Sequence, residues 1–220
     1  DLVPFFVIGG YGDNRLWGVQ AMVYIIFICF AVPLALMLPI IKGQSRWLIL
    51  FMLLGAFMAV SASEINSVLR LLFQLPVYDV SLRIAPVTEE CMKALPVLAY
   101  AFLFSDDKKI VLPLAMSLGI GFAILENTYY LINSFQQINL LWTLIRGVSC
   151  SLVHGLCTYL VGCGILYVRK EKRLFFAGTF GLLTVAVTFY AICNLLVWSK
   201  WNVAGVVLAI VVCGVILSFI

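Results

Sequence analysis

Two adjacent glutamates and a lysine stand in the middle of an apolar stretch of this chain. Lys93 follows Glu89 by four residues and Glu90 by three, and on a helix both spacings bring the lysine within reach of the carboxylate. One lysine cannot neutralise two acids. An uncompensated buried carboxyl group is the kind of residue that enzymes use as a general base or acid. The alternative is an internal salt bridge that only positions helices.

Three later apolar stretches also carry polar residues at helical spacing. Glu126 lies four residues from both Phe122 and Tyr130, so these three residues share one face of a helix. Cys150 and His154, the one histidine of the chain, are also four residues apart. A thiol nucleophile or a soft-metal site is the less favoured interpretation of that pair, and a buried structural histidine is the more common one. The remaining polar candidates are Asn127, Arg146, Tyr190 and Asn194.

The elements that position these residues must lie in a membrane. Hydrophobic residues make up 64% of the 220 residues and charged residues 11%, whereas soluble domains carry about 25% charged residues. The mean hydropathy is +1.13. The apolar residues fall in runs of about 20, the length that crosses a bilayer core as a helix. This composition excludes a soluble enzyme, a nucleic-acid-binding module and a disordered chain.

We therefore predict an all-α fold, a polytopic membrane helix bundle with about seven transmembrane helices. Backbone groups in lipid must form hydrogen bonds within the chain, and helices achieve this. We expect residues 1–220 to form a single integral membrane domain, in which residues 80–198 carry the polar motifs. Prolines within the spans should start or kink helices without abolishing them. The predicted spans are residues 17–41, 47–70, 80–104, 110–132, 141–168, 174–198 and 202–220.

Basic residues are distributed unequally between the two sides of this predicted bundle. One side receives Lys42, Arg46, Lys108, Lys109, Arg169, Lys170, Lys172 and Arg173. The other receives Arg15, Arg70, Arg83, Arg146 and Lys200. Because basic residues are enriched in cytoplasmic loops, the first group is predicted to be cytoplasmic. The N-terminus is then outside and the C-terminus is cytoplasmic.

In this orientation, polar residues of four predicted helices lie in the outer half of the membrane. Glu89 and Glu90 are about ten residues, or about 15 Å, from the outer start of their helix. Glu126 and Asn194 are close to the outer ends of theirs, and His154 is deeper. Unrelated structural pairs would have no reason to share a depth. The sequence therefore predicts one polar cavity that all four helices serve.

The ordered motifs resemble the PrsW family of intramembrane proteases, relatives of the CAAX-processing endopeptidases and of the bacterial di-glutamate proteases. The motifs are Glu89-Glu90-x-x-Lys93, then Gly121-Phe122-x-x-x-Glu126-Asn127, then Arg146 followed eight residues later by His154. The resemblance covers about residues 80–198. It implies a multi-pass protease of the bacterial cell membrane that cuts a membrane-anchored protein, typically an anti-sigma factor, near the outer membrane face. It also implies that Glu89, Glu90, Glu126 and His154 are the catalytic residues.

The chain departs from the family pattern at one position. The last motif of the family is a histidine followed four residues later by asparagine or aspartate. Asn194 fits this motif, but Tyr190 stands at the histidine position. Tyrosine can donate a hydrogen bond to an oxyanion, but it is not a base near neutral pH and is a poor zinc ligand. Either the chemistry relies on the two glutamates and His154, or the protein is an impaired relative.

The favoured function is an intramembrane endopeptidase in which Glu89 or Glu90 activates a water molecule. We expect supporting roles for Lys93, Asn127, Arg146, Tyr190 and Asn194. No cofactor is favoured, because catalytic zinc sites mostly use two or three imidazoles. Zinc is possible, and its ligands would then be Glu89, Glu90, Glu126 and His154.

The expected partners are a membrane-anchored protein substrate and the lipid bilayer, without nucleic acid. One alternative is a catalytically impaired relative that acts as a scaffold or chaperone for membrane proteins. An ion-coupled transporter is a weaker alternative, because the inner halves of the predicted spans are almost wholly apolar, whereas a transporter needs polar groups along a path to both faces.

Overall fold

The computed structural model describes residues 13–133, 140–170, 175–199 and 202–218 of the chain. Regular structure within these ranges is helical, as the sequence predicts. Seven main helices follow one another through the described residues. They are α1 (Asp13–Met37), α2 (Gln44–Phe73), α3 (Ala85–Leu103), α4 (Lys108–Asn133), α5 (Leu140–Lys170), α6 (Gly181–Trp198) and α7 (Asn202–Ser218).

Two of these helices begin with wider, π-helical turns. A helical turn at Val77–Asp79 and the π-helical segment Val80–Ile84 lead into α3, and the π-helical segment Phe175–Phe180 leads into α6. Such turns are rare and often occur at functional sites. Pro86 lies in the first turn of α3, directly after the π-helical segment, and it lacks the N–H group that would donate to a carbonyl of that segment.

The first helix ends earlier than predicted. The expected span reached residue 41, but α1 ends at Met37. Pro39 explains the difference, because the residue before a proline is disfavoured in the α conformation. Three other prolines lie inside helices without ending them, as predicted: Pro33, Pro96 and Pro113.

Four described helices are long and apolar enough to cross a membrane. The crossing segments are Gln44–Phe73, Lys108–Leu131, Thr143–Tyr167 and Ala177–Val197. Tyr24–Met37 and Val203–Ile216 are apolar but shorter. Helix α3 carries Glu89, Glu90 and Lys93, all of which are buried inside the bundle. The chain is therefore a multi-pass membrane helix bundle.

Helix α4 lies at the centre of the bundle, packed along α2 on one side and α5 on the other. Two glycines of α4 allow this close approach. A Cβ atom on Gly121 would overlap the carbonyl of Met52 in α2, and one on Gly119 would overlap the carbonyl of His154 in α5. Small residues permit such backbone contact between membrane helices. The contact at Gly119 joins α4 and α5 at the level of the histidine.

Glycines of α5 contribute to its contact with α4 at one end of the helix only. Gly155 packs against the side chains of Met116 and Ile120, but Gly147 faces open space. At that end of α5 the contact with α4 is made by Arg146, whose Nη2 lies 3.4 Å from Glu126. A long charged side chain spans the gap there, so no small residue is needed.

Candidate active site

The two glutamates and the lysine of α3 are almost completely buried. Lys93 Nζ lies 2.6 Å from Glu90 Oε1 and donates a hydrogen bond to it. The lysine is therefore committed to the second glutamate, although helical spacing allowed either. Glu89 instead interacts through side-chain hydrogen bonding with Tyr190 of α6.

Glu126 of α4 is held by three side chains of α5. Arg146 Nη2 lies 3.4 Å from Oε1, His154 Nε2 lies 2.6 Å from Oε2, and the Cys150 thiol is 3.7 Å from Oε2. The Arg146 guanidinium therefore lies beside Glu126 of α4. That guanidinium also stacks over the Tyr130 ring, 3.8 Å from the ring centroid.

Lys93 and His154 join these two groups into one. Lys93 Nζ is 2.7 Å from His154 Nδ1 and lies 4.6 Å from the centroid of the Phe122 ring. Side chains of α3, α4 and α5 thus form a continuous buried chain in the order Glu90, Lys93, His154, Glu126 and Arg146. Three separate helices thus bring these residues together.

Helix α6 closes the site with the two residues of the last motif. The Tyr190 ring meets the His154 ring edge to face, with 4.8 Å between centroids, and Tyr190 also interacts with Asn194. Asn194 Nδ2 donates a hydrogen bond of 3.3 Å to the backbone carbonyl of Ser81. Asn194 therefore connects α6 to the π-helical segment before α3 and does not point at the carboxylates.

Three buried oxygens of the site accept no hydrogen bond from the part of the chain that the structure describes. They are Glu89 Oε2, Glu90 Oε2 and Asn127 Oδ1. A buried polar atom without a partner costs about 1–3 kcal/mol, and ordered water is the usual partner at such positions. The two glutamates thus each have an oxygen that can hold a water molecule.

A small cavity adjoins His154 between α5, α6 and α7. The space open to water centres is about 20 Å³, which is room for about one water molecule. A peptide does not fit in it. Its walls are Ser149, Cys150, Val153, His154, Tyr190, Cys193, Asn194, Val197, Gly205, Val206 and Ala209.

A family model described as PrsW family intramembrane metalloprotease matches residues 43–220, most of the chain. The chain belongs to the PrsW family. Membership implies intramembrane protease activity, and the matched residues include every polar group described above. No curated protein and no solved structure matches the chain.

Because the family is described as a metalloprotease, we asked which residues could bind a metal ion. Among the described residues, Glu126, Cys150 and His154 offer ligand atoms that all lie within 4.8 Å of one another. Carboxylate, thiolate and imidazole are all zinc ligands. Glu89 and Glu90, which the sequence suggested as ligands, lie outside this converging group.

The arrangement of hydrogen bonds does not fit a metal ion, although the ligand types do. Nδ1 of His154 is engaged by Lys93, whereas Nε2 lies 2.6 Å from Glu126 Oε2 without forming a hydrogen bond to it. A metal ion on Nε2 would leave the ring proton on Nδ1, where it would face the Lys93 ammonium group, which has no acceptor. We therefore derive no catalytic step through a metal ion for this PrsW-family protein.

Sequence reasoning missed two participants. Cys150 was weighed only with His154, and its contact with Glu126 could not be seen, because the relative rotation of α4 and α5 is not encoded in spacing. Ser81 contributes its backbone carbonyl, an acceptor that every residue possesses. No residue type could have pointed to it.

Proposed function

We propose that the chain is an endopeptidase of the bacterial cell membrane that hydrolyses a peptide bond of a membrane-anchored protein, of the anti-sigma-factor kind, near the outer membrane face. The N-terminus is outside and the C-terminus is cytoplasmic in this proposal. The observation that carries it is the pair of buried oxygens on Glu89 and Glu90 that lack a protein partner. They are suited to hold and deprotonate a water molecule.

Glu89 is proposed as the water-activating base. Glu90 is fixed by its salt bridge to Lys93, so its charge is already compensated. Within the described part of the chain, Glu89 forms no salt bridge. The water oxygen attacks the peptide carbonyl carbon and its proton passes to Glu89. The same proton then passes to the leaving amine as the C–N bond breaks.

Tyr190 is proposed to stabilise the oxyanion of the tetrahedral intermediate. Its side chain adjoins both Glu89 and His154, and a hydroxyl donor is a suitable group for this task. Asn194 is engaged with the Ser81 carbonyl, so its role is to hold α6 in place. Glu126, with both oxygens occupied, positions His154 and holds no water.

Co-expression tests the proposal. Candidate single-span membrane proteins are produced together with the wild-type chain or with the Glu89→Gln/Glu90→Gln variant, and loss of the full-length substrate is followed by immunoblotting. Cleavage should depend on the wild-type carboxylates. Equal loss of substrate with both proteins, at equal expression, would contradict the protease assignment.

Purified protein separates the glutamate mechanism from a zinc mechanism. We expect cleavage to survive treatment with a chelator, because the proposed base and oxyanion donor are side chains. Activity that collapses with the chelator and returns on addition of zinc would contradict the metal-free mechanism. It would leave the protease assignment itself intact.

A catalytically impaired scaffold is the second candidate, favoured by Tyr190 at the histidine position of the last motif. Tyr190→His and Tyr190→Phe distinguish the two functions. If Tyr190 is the oxyanion donor, Tyr190→Phe lowers cleavage and Tyr190→His does not raise it. A large gain of cleavage in Tyr190→His would mean that the natural protein is impaired.

A further inference from the structure

The contacts of Lys93 account for every N–H bond of its ammonium group. One faces Glu90 Oε1 at 2.6 Å and one faces His154 Nδ1 at 2.7 Å. The third side of the group faces the rings of Phe122 and Tyr190, with 4.6 and 5.5 Å from Nζ to the ring centroids. Carboxylate, imidazole lone pair and aromatic faces are all partners of a cation.

This environment determines which nitrogen of His154 carries the proton. An ammonium group has donors and no acceptor, and a neutral imidazole has one donor and one acceptor nitrogen. Nδ1 must therefore be the acceptor toward Lys93, which leaves the proton on Nε2. That nitrogen lies 2.6 Å from Glu126 Oε2 but is not aligned with it as a hydrogen-bond donor, so the contact with Lys93 alone determines the tautomer.

We infer that Lys93 is a positioning residue that fixes His154 as the Nε2–H tautomer and thereby closes the Nε2 lone pair to a metal ion. Metal binding at Glu126, Cys150 and His154 and the hydrogen bond from Lys93 to His154 exclude each other. The inference goes beyond the proposed cleavage and does not depend on it, because the tautomer can be read without a substrate.

The single histidine of the chain makes a direct test possible. Protein labelled with ¹⁵N-histidine in lipid bilayers gives one pair of ring nitrogen signals, and these report which nitrogen is protonated. For the wild-type chain we expect a protonated Nε2 and an unprotonated, hydrogen-bonded Nδ1. A protonated Nδ1 would overturn the inference without any variant.

Paired variants test whether Lys93 is the cause. Glu90→Gln removes the carboxylate and keeps the lysine, so the Nε2–H tautomer should persist. Glu90→Gln/Lys93→Met removes the donor as well and has the same net charge as the wild-type chain, so the tautomer should shift toward Nδ1–H. Thr158→Val is the matched control, since this buried hydroxyl bonds the backbone carbonyl of His154 and not its ring. An unchanged tautomer in the double variant would overturn the inference.

A second label covers the case in which the double variant does not fold. Wild-type protein labelled with ¹⁵N on both lysine and histidine should show a through-space correlation between Lys93 Nζ and His154 Nδ1. Absence of that correlation, with the histidine signals resolved, would overturn the inference.

Zinc affinity gives an independent test of whether metal binding and the Lys93–His154 hydrogen bond exclude each other. Competition with a coloured chelator should show that the Glu90→Gln/Lys93→Met variant binds zinc about 10–100-fold more tightly than the wild-type chain, the range typical of groups that hold a metal-binding histidine. The two proteins have the same net charge, so simple electrostatic attraction does not explain a difference. Equal affinities would contradict the mutual exclusion.

Discussion

Glu89 and Glu90 differ in what holds them, although they are neighbours in the chain. Glu90 is bound by Lys93 at 2.6 Å, and Glu89 adjoins Tyr190 on another helix. A carboxylate in an ion pair is a weaker proton acceptor than one without a cation. This difference is the reason why we propose Glu89 as the base and Glu90 as the residue that orders the site.

Single substitutions test this division. Glu89→Gln keeps the shape and removes the base, so cleavage should fall by about 10²–10⁴-fold, with little change in folding. Glu90→Gln should reduce cleavage less, and its main effect should be on stability, because Lys93 then lacks its carboxylate partner. Cleavage kinetics and thermal unfolding in detergent measure both effects. If Glu90→Gln abolishes cleavage and Glu89→Gln does not, the two roles are reversed.

The pairing of Lys93 shows how far spacing alone can predict a site. Helical phase places Lys93 about 40° from Glu89 and about 60° from Glu90, so the sequence left both partners open. In the structure Lys93 pairs with Glu90, and His154 of another helix contacts the same ammonium group. The membership of the site was predictable from residue types at helical spacing. The individual pairs were not, since they depend on contacts between helices.

Helices α4 and α5 are held together at the site by close backbone contact as well as by side-chain contacts. At Gly119 of α4 a Cβ atom would overlap the His154 carbonyl of α5. Helix positions were predictable from apolar runs of membrane length. Two details of the helices differ from the prediction. Pro39 ends α1 early, and π-helical turns precede α3 and α6.

Two glycine substitutions separate packing from helix propensity. Gly119→Ala should push α5 away from α4 and destabilise the protein by at least about 1–3 kcal/mol, the usual cost of overpacking. Gly147→Ala is the matched control on α5, because nothing lies within 4 Å of the added methyl group. It should be neutral or stabilising by up to about 1 kcal/mol. Unfolding by denaturing detergent measures both, and equal effects would contradict the packing argument.

At the scale of the whole molecule, the orientation in the membrane remains a prediction from charge bias. Residues 134–139 and 171–174 and Lys200 lie outside the described residues, so the proposal rests on the basic residues of the sequence. The proposed orientation places Glu89, Glu90 and Glu126 nearer the outer face of the membrane.

Cysteine labelling tests the orientation without a substrate. In a background in which the seven native cysteines are replaced, single cysteines at residues 106–109 and 169–173 should react only after the inner face is exposed. Cysteines at 76–79 and 134–139 should react with an impermeant reagent in intact cells. The reverse pattern would place the site on the cytoplasmic side and remove the support for cleavage near the outer face.

The small size of the cavity beside His154 has a consequence for the supply of a reagent. A soluble hydrolase draws its nucleophile from bulk solvent, but a space of about 20 Å³ stores about one water molecule. Each hydrolysis event consumes one. In the proposed protease, water is then a second substrate that has to reach carboxylates buried among membrane helices, and its delivery joins peptide binding among the steps that can limit the rate.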